Sequence, residues 1–495
     1  MLRSILSISA TPATIVLGLI AAAAQQQTVT RLDGSQITPA QIDATVTQLM
    51  SFAHVTGVGI AIFHDGRIAY LHGYGLRDTE KGAPLTPDSV MTSASLSKAA
   101  FATLVMRLTE ERVLDLDKLI DQCLPKPLPT YPRYADLAGD ERYKKLTLRI
   151  LLSHTSGFTN WRAFEDDHKL KIHFDPGTRY AYSGEGIDLA QLVVETATGK
   201  SLTALMEENL FRPLQMTRSS MVWEPRFESD FANGYDEYGR SLGPERRSKP
   251  DAAGSMQTTL HDYAAFLSVI MRQKLLSTVT TGKMLMPQIG IHSAHQFPSL
   301  TAETTTANDG IRLSYGVGWG VYSSPYGKAF FKEGHDEGWR HLALCFNNGN
   351  GILIMTNSSN GEGIFKPLLD SILGKTSFPF DWEGYTSYDL LPPLSKLKEH
   401  KQVSLTPAQL NRLAGRYALS PDVVLSVTID GPHLYLQEND EPKQEMLAES
   451  PQDFYSTTSS DECSFKPADT GTNAGPPQVL ILHLEGKDIE LKRLN

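Results

Sequence analysis

A β pattern split between two distant parts of the chain constrains the fold most. Residues 57–75, GVGIAIFHDGRIAYLHGYG, are two β-rich runs around Asp65-Gly66, and Asp-Gly between such runs is a strong hairpin signal. The pattern returns only near residue 315, with YGVGWGVY, then KAFFKEGHDEGW, then RHLALCFNNGNGILIMTN, itself a hairpin around an Asn/Gly turn. Helical and loop-like sequence fills the interval. The sheet must therefore be assembled from both ends of this unit, with a helical subdomain inserted, an α+β arrangement.

Local signals place the helices. Thr38-Pro39 opens one, with Pro at the first helical position and Ile42, Val46, Leu49 and Ala53 as its apolar stripe. SASLSK, residues 93–98, precedes the helical run AAFATLVMRL. LTLRILLSHTSGF predicts a helix ending near Gly157, GIDLAQLVVETATGKSLTALMEENLF a helix pair, residues 251–275 a further helix, and IFKPLLDSIL a last one. Residues 377–404, with aromatics, prolines and lysines in no period, read as a linker. Short strands follow: AGRYAL, VVLSVTI, Asp430-Gly431, HLYLQ, and QVLILHL with Gly486-Lys487 before DIELKRL. Such spacing suggests a small antiparallel barrel or sandwich.

At the N-terminus, Arg3 precedes an apolar run, Ile15 to Ala24, which ends in small residues before Gln25. This is the layout of a secretory signal peptide, and the run is short for a membrane span. Cleavage would remove only Arg3 among charged residues, taking the net charge from −10 to −11. The expectation is a periplasmic or secreted protein with no stable membrane span. The acidic balance, without a basic stripe, argues against nucleic acid as a partner. Cys123, Cys345 and Cys463 lie far apart and form no C-x-x-C pair, so neither a disulfide scaffold nor a zinc ribbon is expected. Cys345 reads as a buried strand residue. Neither H-E-x-x-H nor a Walker A loop is present, and no metal or cofactor is expected.

Two serines compete as nucleophile. Ser95 stands three residues before Lys98, so both side chains share a helix face and the lysine can serve as base. The bland alternative is that Ser95 merely caps the helix, and S-x-x-K recurs at Ser395–Lys398. Ser241, in Gly239-Arg-Ser-Leu-Gly243, matches G-x-S-x-G. That motif needs a buried strand before it and a helix after it; here both flanks are polar and Pro244 follows, so Ser241 reads as a turn residue. An S-x-x-K mechanism also needs a second proton carrier, a cation facing the substrate and an oxyanion hole. Tyr182, in DPGTRYAYSG, and Lys332 with Gly334, in FFKEGH, are the candidates. A tyrosine beside two lysines is expected to have its pKa lowered, making Tyr182 a general base. Either residue could instead be packing or surface charge; the order of the motifs favours the site.

That order resembles the serine β-lactamase-like hydrolases: class C β-lactamases, D-alanyl-D-alanine carboxypeptidases, D-aminopeptidases and related esterases. Their S-x-x-K, Y-x-N or Y-S-x, and K-T-G or H-x-G boxes correspond to Ser95–Lys98, Tyr182-Ser183-Gly184 and Lys332-Glu333-Gly334. LLSHTSG, AAGSMQTTLHDYAAF, YGVGWG and EGW fit as well, so the resemblance spans about residues 40–375. It implies a β-lactamase/transpeptidase-like fold with Ser95 as the acylated nucleophile. Lys98 and Tyr182 would share the proton work and Lys332 would orient substrate. The backbone N–H groups of Ser95 and His335 would form the oxyanion hole. The C-terminal region resembles the lipocalin-like barrel that follows this domain in many members, LAGRYAL being its usual opening. The implied organisation is a signal peptide over 1–24, a hydrolase domain over 25–376, a linker over 377–404 and a barrel over 405–495.

Two positions depart from the family pattern. Gly184 replaces the Asn whose amide contacts a substrate amide carbonyl, and Glu333 replaces the Thr of penicillin-recognising members. A glutamate there would repel a substrate carboxylate, unless its side chain turns away. Both changes lean toward esters or other small acyl substrates, ahead of D-amino-acid peptides or β-lactams. A non-catalytic binding protein on the same fold would show damage to Ser95, Lys98 or Tyr182, and all three are intact.

Overall fold

The computed structural model describes residues 28–390, 400–420, 423–439, 443–456, 461–466, 475–484 and 487–494. The proposed signal peptide, Ser395–Lys398 and Gly486 lie outside these residues. Helix α1, Pro39–Ala53, starts at a capping box between Thr38 and Gln41 and buries the expected stripe. Strands β1, Gly57–His64, and β2, Arg67–Asp78, follow. Asp65 and Gly66 turn between them with φ of 51° and 68°, the positive values a two-residue hairpin turn requires. A short β3, Ala83–Pro84, ends this edge.

Helices α2, Leu96–Glu110, α3, Gly184–Thr198, and α4, Leu260–Met271, belong to the inserted region. The main sheet is completed by β4 (Ile289–Gly290), β5 (Ser314–Tyr315), β6 (Gly320–Ser324), β7 (Gly327–Asp336), β8 (Trp339–Phe346) and β9 (Gly351–Thr356). Helix α5, Phe365–Ile372, follows. The nine strands form one sheet in the order β4-β5-β6-β7-β8-β9-β1-β2-β3. The two chain ends meet where β9 pairs antiparallel with β1, Ile354 opposite Ile60.

Strand alternation separates two cores. Val58, Ile60 and Ile62 of β1 join α1 and α5 on one face. Ala61 and Phe63 join α2, α4 and the inserted helices on the other. A strand covered on both faces has no solvent side, which is why β1 reads as an almost continuous apolar run.

Three expectations change. The LTLRILL helix spans only Leu148–Leu152; His154 then takes φ of 55° and leaves the helix for the site. Ser241 begins a short exposed-edge strand, Ser241–Gly243, paired with Gly234–Tyr235, and no helix follows it. The stretch read as a linker is partly core: Phe378, Phe380, Trp382 and Tyr385 are buried against α5 and the sheet. These aromatics carry no helical or strand period, so their burial had no pattern to announce it.

After a capped helix over Pro407–Leu413, eight antiparallel strands, β10 to β17, close a barrel. They run from Gly415–Ser420 (β10) to Lys487–Arg493 (β17), and Tyr417 pairs with Arg493 where the two meet. Tyr417, Leu434, Met446, Phe454, Phe465, Leu480 and Leu491 fill its interior. Arg493 Nη1 donates to Tyr417 Oη at 2.6 Å. Ala163, in a single helical turn over Arg162–Phe164 outside the barrel, packs against this cluster.

Candidate active site

Ser95 is not a cap. It precedes α2 with φ −70° and ψ −2°, and its hydroxyl makes no capping bond. Lys98 Nζ instead donates to Ser95 Oγ at 2.9 Å. The turn before it is strained: Ala94 has φ of 46°, unfavourable for a residue with a Cβ. Ser97 holds that turn. Its hydroxyl donates to Ala94 O at 2.7 Å and accepts from Met256 N at 3.1 Å. Of the three serines in SASLSK, one is presented and another clamps the presentation, a distinction the motif does not carry.

Lys98 is fully buried, and Nζ also donates to Ala253 O at 2.5 Å. Burial first, and then the nearby Lys332, bring its pKa down to about 7. An amine so placed is largely deprotonated slightly above neutrality and can accept a proton from Ser95.

Tyr182 is buried, and its hydroxyl accepts a bond from Lys332 Nζ at 3.1 Å. Ser95 lies beside it and favours its ionised form, the weaker influence here. Its pKa runs opposite to expectation: burial, followed by the Glu333 carboxylate, pushes it well above the ordinary phenol value. Lys332 does not act as a free cation, because its Nζ is paired with Glu333 Oε1. Glu333 is buried and also accepts from Gln296 Nε2 at 3.4 Å. It therefore faces Lys332 rather than open solvent, and it neutralises the charge that was to depress Tyr182.

Gly334 shows why this strand needs a glycine. A Cβ there would sit 2.8 Å from Ser93 O, so any side chain would push β7 away from the nucleophile's loop. β6 pairs with β7 only as far as Phe331, leaving Lys332 to Asp336 without a ladder partner on that side. His335 lies on this open stretch, and with Ser95 it lines the cleft. Its imidazole is turned outward to Glu362, 3.4 Å away.

His154 was missed as a site residue. Its ring lies 4.4 Å from that of Tyr182, and its Nδ1 accepts from Ser183 N at 3.2 Å. Burial, with Lys332 and Lys98, holds its pKa well below the usual imidazole value, so a neutral ring packs behind the tyrosine. The signal was the histidine inside LLSHTSG.

Gly184 is equally specific. Its N–H donates to Asn160 Oδ1 at 2.9 Å, and a Cβ there would lie 2.2 to 2.6 Å from atoms of the Trp161 ring. The indole fills the space that the family's asparagine would need. Ser95, Lys98, Tyr182, Trp161 and Glu333 line one cleft of about 850 Å³. Among the described residues, no group of three or more His, Cys, Asp or Glu could hold a metal ion, and no helix is long and apolar enough to cross a membrane.

The chain is similar to known proteins. The chain is 23% identical over 462 residues to penicillin-binding protein 4* of Bacillus subtilis (strain 168), covering 86% of this chain and 93% of that one. It is 30% identical over 244 residues to esterase EstB of Burkholderia gladioli, covering 44% and 60%. Among solved structures, the octameric penicillin-binding protein homologue from Pyrococcus abyssi superposes with a TM-score of 0.56 at 20% identity, over 92% of this chain and 99% of that one. The family model described as Beta-lactamase matches residues 42–373, the stretch holding all three motif boxes, and the chain belongs to that family.

Proposed function

We propose that this serine hydrolase cleaves carboxylic esters through an acyl-enzyme on Ser95. The observation that carries the reading is the 2.9 Å contact between Ser95 Oγ and a buried Lys98 whose pKa falls to about 7. Neutral Lys98 takes the Ser95 proton as Oγ attacks the ester carbonyl, and the backbone N–H groups of Ser95 and His335 hold the oxyanion. Tyr182, protonated because burial keeps it so, gives its proton to the departing alkoxide and is reloaded from protonated Lys98. Water then repeats the cycle on the acyl-enzyme and releases the acid. Lys332 keeps the Tyr182 hydroxyl in place through its 3.1 Å bond.

Esters are favoured over amides because Trp161 stands where the amide-binding asparagine would be. The similarity to esterase EstB supports the same choice. The similarity to penicillin-binding protein 4* keeps D-amino-acid peptides and β-lactams as the second substrate class to assay. We also propose export directed by residues 1–24; N-terminal sequencing of the protein from the cell exterior should begin near Gln25.

The test is hydrolysis of a short-chain chromogenic ester by the wild type, Ser95→Ala and Ser241→Ala. Loss confined to Ser95→Ala is expected. Loss in Ser241→Ala alone would move the nucleophile. Inactivity of all three, together with no covalent adduct on Ser95, would favour a binding role.

A further inference from the structure

The cleft has two unlike sides. One is the polar centre of Ser95, Lys98 and Tyr182. The other is aromatic and apolar: Trp161, Phe164, Phe297, Pro298 and Leu300. Phe297 is 45% exposed, so its ring is open to a molecule entering the cleft. Its ring meets that of Tyr182 edge-on at 5.4 Å between centroids. Trp161 lies 5.9 Å from Lys98 Nζ and rests against Gly184 with no room for a Cβ. The two rings thus flank the reacting centre, one beside each of its proton carriers.

The charges around them are already engaged. Glu165 is bonded to His173 at 2.7 Å, Asp336 to Arg247 at 3.2 Å, and Glu333 is paired with Lys332. An incoming acyl group therefore meets aromatic faces rather than a spare ion.

We infer that Trp161 and Phe297 form a clamp selecting esters whose acyl group carries an aryl ring. This rests on the reading of the site as an ester hydrolase and deepens it. An aryl ring gains from offset or edge contacts with both walls, whereas a short alkyl chain fills the same space with fewer contacts.

The experiment compares kcat/KM of the full chain for 4-nitrophenyl phenylacetate and 4-nitrophenyl butyrate. The wild type should prefer the phenylacetate by about tenfold. Trp161→Phe should keep most of that preference. Trp161→Ala should bring it near parity, and Phe297→Ala, at a half-exposed ring, should lower it severalfold without depending on refolded core. Equal rates in the wild type, or a preference untouched by both alanine variants, would overturn the clamp. If the wild type hydrolyses neither ester, the ester reading falls, and the clamp is judged by calorimetric binding of benzylboronic and butylboronic acid. Tighter binding of the benzyl compound that Trp161→Ala abolishes supports it; equal binding overturns it.

Discussion

The barrel and the hydrolase domain are both built around an antiparallel sheet with an apolar core, yet they bury opposite things. The barrel interior is apolar, and Ser456 is the one fully buried polar residue among its described positions. Its half-buried cation, Arg493, is matched by the Tyr417 hydroxyl and the Ala414 carbonyl. The cleft domain buries Lys98, Lys332, Glu333 and His154 within a few side chains of one another. Glu383, from the stretch expected as linker, lies near them with both carboxylate oxygens unpartnered. Burial, and then Glu333, raise its pKa well above the usual carboxylate range. Charge taken out of water without full compensation is costly. The barrel is arranged for stability, while the cleft tolerates that cost to set protonation states.

The comparison is broken most directly at Lys98. Lys98→Met should lower kcat/KM by about 10⁴-fold or more, since the base and half of an activated pair are lost. In the wild type, kcat/KM should climb with pH through about 7, where Lys98 loses its proton; a profile flat from pH 5 to 9 would remove Lys98 as base. Stability follows the same group. Its pKa falls from 10.5 to about 7 on folding, so between those values the unfolded chain holds more protons and stability rises with pH. Lys98→Met should therefore gain more in melting temperature over the wild type at pH 6 than at pH 9.

Tyr182→Phe comes next. One hydroxyl leaves a pre-formed site, and kcat should fall about 10²- to 10³-fold with little change in melting temperature. Unchanged turnover would take Tyr182 out of the mechanism. Gly334→Ala should cost about 10²-fold in kcat, because its Cβ would meet Ser93 O at 2.8 Å and displace the nucleophile's loop. The smallest effect on activity sharpens the contrast. Leu480→Ala, in the barrel core, should destabilise the barrel by about 3 kcal/mol while kcat per folded molecule stays near that of the wild type. A matching loss of kcat would show that the barrel, through the Ala163 contact, supports the cleft.

Much of the scaffold was legible locally. The Thr38-Pro39 start, the Asp65-Gly66 hairpin and the Asn/Gly turn near residue 349 all formed where turn chemistry and strand period placed them. The order of S-x-x-K, Tyr182 and Lys332 named residues that do converge. Ser97, His154 and Trp161 escaped notice because their roles come from what they touch: Ala94 and Met256, the Tyr182 ring, and the missing side chain of Gly184.

The sequence by itself determined the main hairpins and the long helices, the sheet drawn from both ends of the unit, and which serine stands one turn before a lysine. All of these follow from spacing along the chain. Tertiary structure alone decided that Lys98 sits near neutrality while Tyr182 keeps its proton. It alone decided that Glu333 turns to Lys332, and that an indole takes the place of an amide. Those outcomes depend on burial and on neighbours as distant in the chain as Lys332 is from Lys98, and a local pattern carries no record of either.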